Sequence, residues 1–104
     1  MAPIGRMLVV ALVVAGAPTA EAETLRIELN KLTFTPVERQ AHVGDTIEWV
    51  NSDFVAHTAT ARDHSFDVML EPGKSGRYTV QKTGAVDYYC RFHPNMTGRI
   101  TVGE

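Results

Sequence analysis

Hydrophobic and polar residues alternate along most of the chain from residue 25 onwards. Leu25, Ile27 and Leu29 are separated by charged or polar residues, and the same period of two recurs in later stretches. A period of two is typical of a β-strand that buries one face, whereas a surface helix repeats about every 3.6 residues. The alternation predicts strands over residues 25–30, 32–34, 46–50, 58–61, 66–70, 75–80, 86–89 and 97–102.

Short turn signals separate the predicted strands. Residues 43–45, 71–74 and 82–84 carry the glycine, proline and aspartate residues that turns prefer. After residue 22 no window has the period of an amphipathic helix. Many short strands with regular turns indicate an all-β antiparallel sandwich or barrel, with Trp49 in its core.

The first 22 residues follow a different pattern. Arg6 supplies a positive charge, and residues 7–17 then form an apolar run that ends before Pro18. A positive start, an apolar middle and a small-residue end are typical of a secretory signal peptide. A membrane anchor is the alternative, but the apolar run is shorter than the roughly 20 residues that a spanning helix needs. We therefore predict that residues 1–22 are a cleaved leader.

The end of the leader sets the size of the mature domain. Ala20-Glu21-Ala22 fits the small-residue pattern of a cleavage site, so we predict a cut after Ala22, with a cut after Ala20 as the alternative. A single domain of 82 residues, 23–104, then remains. A core of that size often depends on a disulfide or a metal ion. Because Cys90 is the only cysteine, a disulfide within the chain is excluded.

The charges along the chain argue against one large class of partner. The formal net charge is −2, and the basic residues are scattered along the sequence. Nucleic-acid binding would require them to form a patch or a stripe. No run of like charges marks an interaction tail either. Nucleic acid is therefore not an expected partner.

One segment combines three metal-binding side chains. Cys90, His93 and Met96 form the pattern C-x2-H-x2-M between two predicted strands. Thiolate, imidazole and thioether groups suit copper, and electron-transfer copper sites use two histidines, one cysteine and a weak axial methionine. Each residue alone is ordinary, since a lone cysteine is usually a buried packing residue. Their joint spacing, in an exported domain with a single cysteine, favours a copper site.

The remaining ligand of such a site is a second histidine, for which the sequence offers three candidates. His42 directly precedes the turn at 43–45, which places it at the other end of its strand. His57 follows a strand and a loop, and the apolar residues 54–56 before it would exclude water. His64 lies among polar and charged residues and is expected to be solvated. We choose His57, with His64 as the alternative.

The mature chain resembles the cupredoxins over nearly its whole length, and within them the amicyanin group. Residues 43–51, Val-Gly-Asp-Thr-Ile-Glu-Trp-Val-Asn, look like the family's strand that leads to the first histidine, here His57. Residues 71–73 resemble a family turn, and residues 87–90, Asp-Tyr-Tyr-Cys, lead into the ligand loop. The short C-x2-H-x2-M loop with proline after the histidine is the amicyanin form. The resemblance implies an antiparallel Greek-key β-sandwich with one copper site at one end.

Some positions depart from the family pattern. Thr58 stands where the family commonly has asparagine, whose side chain ties two loops together; a threonine hydroxyl is able to make a similar bond. Arg91-Phe92 replaces a frequent Thr-Pro pair, and Asn95 replaces an aromatic residue before the methionine. A backbone N–H from Thr58 to the Cys90 thiolate is a further hypothesis. The departures lie near the expected docking surface and bear on the choice of partner.

The resemblance also implies a function: a small periplasmic blue-copper electron carrier that is not an enzyme. One copper ion per chain, cycling between Cu2+ and Cu+, would be held by His57, Cys90, His93 and Met96. By the same resemblance His93 is the electron port, in an apolar patch that includes Phe54, Phe92 and Pro94. The implied partners are redox proteins, namely a periplasmic dehydrogenase such as methylamine dehydrogenase as donor and a c-type cytochrome as acceptor. We expect a monomer without a membrane anchor after cleavage.

A periplasmic copper-binding and delivery protein with the same ligands is the alternative function. Delivery proteins often carry extra methionine or histidine clusters, whereas the mature chain has no such cluster, and its histidines outside the proposed site are the scattered His42 and His64. A multicopper enzyme would need further histidines across domains, and a dinuclear site would need a second cysteine. The 82-residue domain supplies neither. A structural sandwich without metal would leave the C-x2-H-x2-M loop unexplained.

Overall fold

The structure is a computed structural model that describes residues 21–104 of the chain. These residues contain nine β-strands. Each predicted strand is present, with shifts of one or two residues at several ends. The strands are β1 (Thr24–Asn30), β2 (Thr33–Thr35), β3 (Glu38–His42), β4 (Thr46–Asn51), β5 (His57–Ala61), β6 (Asp67–Leu70), β7 (Ser75–Thr79), β8 (Gly84–Tyr89) and β9 (Thr97–Gly103).

The strands form two sheets that pack face to face. One sheet has the order β2-β1-β4-β7, and the other has the order β3-β9-β8-β5-β6. The predicted all-β sandwich is thereby confirmed. The pairing is not antiparallel throughout, however, because β1 runs parallel to β4 and β3 runs parallel to β9. In both cases the chain passes to the other sheet between the paired strands instead of returning by a hairpin. The expectation of a fully antiparallel sandwich was wrong on this point because the alternation of side chains does not indicate the direction of a strand.

Aromatic side chains fill the space between the sheets. Trp49 is fully buried, as predicted, and its ring centroid lies 5.6 Å from that of Tyr88 and 5.2 Å from that of Phe66. Burial raises the pKa of Tyr88 to about 12. The Tyr88 ring lies directly over Gly98, where any Cβ would collide with it. Only glycine therefore fits opposite Tyr88 on β9.

Strand β3 is the element that the hydrophobic alternation does not predict. Ala41 is its only buried residue, and its other four positions carry charged or polar side chains. It lies at the edge of its sheet and pairs only with β9 within the described chain. A polar edge strand resists further pairing, and for the same reason it lacks a strand-like hydrophobic pattern.

The predicted leader falls almost wholly on residues 1–20, which lie outside the described part of the chain. The division into residues 1–22 and 23–104 therefore stays a prediction. Across residues 21–104 there is no helix with the length and hydrophobicity that crossing a membrane requires.

The two ends of the sandwich carry different loops. The loops at 31–32, 52–56, 71–74 and 90–96 meet at one end, which we call the Cys90 end. The turns at 43–45 and 80–83 lie at the other end, together with the start of β1 and the end of β9. We call this the Asp45 end. Because β4 runs from the Asp45 end to the Cys90 end, the loop after it delivers His57 close to Cys90.

Candidate metal centre

The loop from Cys90 to Met96 folds into two successive turns. The N–H of His93 donates to the carbonyl of Cys90 (3.2 Å), and the N–H of Met96 donates to the carbonyl of His93 (2.8 Å). The N–H of Cys90 closes the loop by donating to the carbonyl of Met96 at 3.0 Å. Each turn joins residues three positions apart, which is the spacing of the motif. Cys90, His93 and Met96 therefore each stand at the beginning or the end of a turn.

Three donor atoms converge between this loop and the start of β5. The Cys90 sulfur lies 3.6 Å from His57 Nδ1 and 3.7 Å from His93 Nδ1. All three ligand atoms lie within 4.8 Å of one another. Metal–nitrogen and metal–sulfur bonds of first-row ions are about 2.0–2.3 Å long. One ion can therefore reach all three atoms at once, and a thiol with two imidazoles is a donor set that suits copper.

The second ring nitrogen of His57 is held by a carboxylate. His57 Nε2 lies 2.8 Å from Asp53 Oδ2, and the imidazole is fully buried. An ionised carboxylate can only accept a hydrogen bond, so Nε2 carries a hydrogen, and Nδ1 is the ring atom that faces Cys90 and could bind a metal. Such a bond fixes the tautomer and the orientation of a metal-binding histidine.

Asp53 is itself fixed by the backbone of a distant loop. The N–H groups of Lys31 and Leu32 donate to its two oxygens at 2.7 and 3.0 Å. Burial raises the pKa of the Asp53 carboxyl, but the hydrogen bonds from Leu32, His57 and Lys31 outweigh it and leave the pKa below its ordinary value. The carboxylate is therefore ionised at neutral pH.

Asn51, the last residue of β4, organises the loop that carries Asp53. Its side chain is fully buried. The amide nitrogen donates to the carbonyls of Val55 and Leu70, each at 2.9 Å, and the amide oxygen accepts the N–H of Asp53 at 2.9 Å. These bonds satisfy backbone groups that the loop would otherwise bury without partners. Asn51 thus sets the path of the chain between β4 and His57.

Thr58 makes both contacts that the sequence suggested. Its backbone N–H donates to the Cys90 sulfur at 3.4 Å, and its hydroxyl oxygen accepts the N–H of Arg91 at 2.9 Å. The expected tie between the two segments is confirmed, with the Thr58 hydroxyl as its acceptor. The sulfur contact places a partial positive charge beside the atom that would carry negative charge as a thiolate.

The Thr58 hydroxyl belongs to a longer hydrogen-bonded chain. Asp67 accepts from Thr60 at 2.8 Å and from Arg91 Nε at 3.2 Å. Since the Thr60 hydroxyl donates to Asp67, it accepts from Thr58 across 2.9 Å. The bond from Thr60 lowers the pKa of Asp67, more than burial raises it, and Arg91 lowers it further. The backbone and the guanidinium of Arg91 are therefore both tied to the sheet.

The other sequence candidates take different positions. Met96 is 4% exposed and lies on the same loop as Cys90 and His93. His64 is exposed in the β5–β6 loop at the Asp45 end, and the side chain of His42 is 70% exposed beside Asp45. Neither belongs to the three-donor group.

The surface around His93 is apolar. His93 is partly exposed, and with Leu32, Phe92, Pro94, Asn95 and Met96 it lines a shallow groove of about 390 Å³. Phe92 is 47% exposed, and Phe54, in the loop at 52–56 at the same end of the sandwich, is 98% exposed. Exposed apolar side chains grouped in this way mark surfaces that bind other molecules.

A family model of the cupredoxin-like domain matches residues 4–102. The chain belongs to this family. Among curated proteins, this cupredoxin is 24% identical over 92 residues to amicyanin from Paracoccus versutus, spanning 83% of this chain and 70% of that protein. It is 25% identical over 96 residues to amicyanin from Paracoccus denitrificans, spanning 83% and 73%.

Solved structures agree with the fold. An oxidised amicyanin mutant superimposes with a TM-score of 0.71 at 22% identity, covering 76% of this chain and 81% of that one. A purple cupredoxin from Nitrosopumilus maritimus gives a TM-score of 0.72 at 26% identity, covering 76% and 99%. The Cu(I) form of another amicyanin mutant gives 0.72 at 24% identity, covering 82% and 86%.

The residues that hold the metal-ligand side chains in place are the ones that the sequence did not predict. Asn51, Asp53 and Asp67 were not singled out, although all three are bonded within or beside the site. The available signal was an aspartate four residues before the chosen histidine, in a loop that follows a buried strand. That signal is weak, because the partners of Asp53 at 31–32 lie more than 20 residues earlier in the chain.

Proposed function

We propose that the protein is a mononuclear blue-copper electron carrier of the bacterial periplasm. It binds one copper ion per chain through His57, Cys90, His93 and Met96. The observation that carries this proposal is the convergence of one sulfur and two imidazole nitrogens at separations of 3.6 and 3.7 Å. Copper bound there would supply a one-electron Cu2+/Cu+ couple.

The protein's own groups suit such a couple because they are held in place. His57 is oriented by Asp53, and the Cys90 loop is closed by its own backbone and tied to β5 through Thr58. An electron carrier benefits from ligands that move little between oxidation states, and rigid strands with supporting hydrogen bonds provide this. The buried Cys90 sulfur is also shielded from water and from other thiols.

Among the four proposed ligands, His93 is the one whose side chain is partly exposed, whereas the other three are buried. We therefore assign His93 as the point of contact with redox partners. The groove and the exposed Phe54 and Phe92 give that contact an apolar rim. Redox encounters are brief and bury little area, which a small patch of this kind can supply. The proposed partners are a periplasmic dehydrogenase as donor and a c-type cytochrome as acceptor, and the carrier acts as a monomer without enzymatic activity.

The test is the visible absorption of the chain loaded with Cu2+. We expect one copper per chain and an intense thiolate-to-copper charge-transfer band that a reductant bleaches. The band disappears in Cys90→Ser and persists in the matched control His64→Gln, because His64 lies at the other end of the sandwich. Only faint bands, typical of nitrogen and oxygen ligation, would contradict the electron-carrier function and favour copper delivery.

A further inference from the structure

At the Asp45 end of the sandwich, the buried carboxylate of Asp45 binds the backbone directly before β1. Asp45 is only 4% exposed. Its Oδ1 accepts the backbone N–H of Glu23 at 2.9 Å, and its Oδ2 accepts the N–H of His42 at 2.8 Å. The carbonyl of Glu23 accepts the N–H of Thr46 at 2.8 Å, so Glu23 is anchored on both sides of its backbone. The electron-transfer site, at the far end, makes no use of this arrangement.

Glu23 is also the residue that a cut after Ala22 would turn into the new N-terminus. Ala20-Glu21-Ala22 precedes it with the small residues that leader cleavage requires. We propose that processing after Ala22 creates a terminal-amine site, in which the new α-ammonium of Glu23 binds the buried carboxylate of Asp45. Hydrolysis of the peptide bond between Ala22 and Glu23 consumes one water and leaves a carboxylate on Ala22 and an ammonium on Glu23.

The geometry requires no rearrangement for this pairing. The nitrogen that becomes the ammonium already lies 2.9 Å from Asp45 Oδ1 as an amide. Cleavage replaces one neutral N–H at that point by three N–H groups and a positive charge. Charge-assisted hydrogen bonds are roughly twice as strong as neutral ones.

The surroundings favour a positive charge. In the uncut chain the groove around the site has a volume of about 300 Å³, and the lining residues that remain after the cut are Glu23, His42, Val43, Asp45 and Glu104. The titratable groups facing the amine are thus carboxylates, apart from His42, whose Nδ1 lies 3.8 Å from Asp45 Oδ2 and whose side chain is largely exposed. Glu23 is itself exposed, so the ammonium keeps part of its hydration.

The electrostatics give the pairing a pH dependence with a definite sign. The backbone bonds from Glu23 and His42 lower the pKa of Asp45, so it is ionised at neutral pH. An adjacent carboxylate raises the pKa of the amine above its value in the unfolded chain. The amine therefore stabilises the fold fully below its unfolded pKa, and the contribution is lost as the pH rises through the raised pKa. The unprocessed chain, with an amide at Glu23, lacks this contribution.

The first test uses the full 104-residue chain, exported by a bacterial host and then purified. Its intact mass should correspond to a protein that begins at Glu23. After reductive 13C-methylation, NMR titration reports the α-amine beside the three lysines. We expect the amine to titrate about one unit or more above the ordinary value of roughly 7.7–8.0. The Asp45→Asn variant should return it to that ordinary value.

Two results would overturn the proposal: a mature protein that begins at Glu21 or elsewhere, or an α-amine with an ordinary pKa in the unsubstituted protein. Should Asp45→Asn fail to fold, a second measurement decides. The α-amine of the unsubstituted protein is neutralised with cyanate, and urea midpoints are compared with and without this modification. A lower midpoint at pH 6 that converges with the unmodified protein near pH 10.5 supports the ion pair, whereas equal midpoints at pH 6 contradict it.

Discussion

The two ends of the sandwich use buried polar groups in different ways. Of the five buried polar or charged residues in the described chain, four lie at the end of β4 or on β5, and only Asp45 lies at the other end. Burying a polar group is costly unless it is hydrogen-bonded. The Cys90 end meets this demand with connected networks around Asn51, Asp53 and Thr58, while the Asp45 end ties one turn and one strand start with a single carboxylate.

The stability of the fold and the geometry of the metal centre therefore depend on different parts of the molecule. The aromatic core around Trp49 and Tyr88 holds the two sheets together through apolar burial, which has no directional preference. The polar networks at the Cys90 end are directional and fix where the three donor atoms lie. Substitutions in the core should therefore affect mainly folding, and substitutions in the networks should affect the metal centre out of proportion to their effect on folding.

The largest effect on stability is expected in the core. Trp49→Ala removes a fully buried ring that packs on Tyr88 and Phe66, and should lower the free energy of unfolding by about 3–5 kcal/mol. The matched control is Phe54→Ala, a ring that is 98% exposed, for which the change should stay within about 0.5 kcal/mol. Urea unfolding measures both. Equal losses for the two variants would refute the assignment of stability to the core.

Asn51→Ala tests the network behind His57. It leaves the carbonyls of Val55 and Leu70 without their donor. The free energy of unfolding should fall by about 1–3 kcal/mol, and copper affinity should fall by about 10–100-fold because His57 loses its support. Calorimetric copper titration measures the affinity, with the exposed Asn30→Ala as control. Unchanged affinity in Asn51→Ala would show that the loop holds its shape without this amide.

Thr58→Val tests the tie between β5 and the ligand loop. Valine keeps the branched shape and the backbone N–H that contacts the Cys90 sulfur, but removes the acceptor for the N–H of Arg91. We expect a loss of about 1 kcal/mol in stability together with a shifted reduction potential. Thr79→Val, an exposed threonine on β7, is the control. A potential identical to that of the unsubstituted protein would mean that the hydroxyl serves folding alone.

The smallest expected effect is the pH response of the Asp45 end. The pKa of Asp45 is lowered from its ordinary value of 3.8, chiefly by the N–H groups of Glu23 and His42. Its ionised form therefore stabilises the fold above that ordinary value, and the gain disappears as the pH falls through the lowered pKa. Urea unfolding of the unsubstituted protein and Asp45→Asn should differ at pH 6, and the difference should shrink as the pH falls below 3.8. A gap that is constant across this range would rule out the carboxylate charge as its source.

Local sequence signals accounted for the parts of the molecule that depend on neighbouring residues. The period of two located the strands, Trp49 was placed in the core, and both bonds of Thr58 were anticipated. What escaped prediction depends on contacts between distant segments. The parallel pairing of β1 with β4 needs the order of strands in the sheet, and the role of Asp53 needs the loop at 31–32 to reach it across the fold. Strand β3 escaped because a polar edge strand buries almost nothing.

The central claim is that fixed donor atoms support a reversible change of oxidation state, and spectroelectrochemistry of the copper-loaded chain tests it most directly. The visible band is followed while the potential is cycled. A single reversible one-electron couple, with the full band restored after repeated cycles and copper retained in the reduced form, is the predicted result. Loss of copper on reduction, or a band that does not return, would contradict an electron carrier and would indicate a protein that releases its metal.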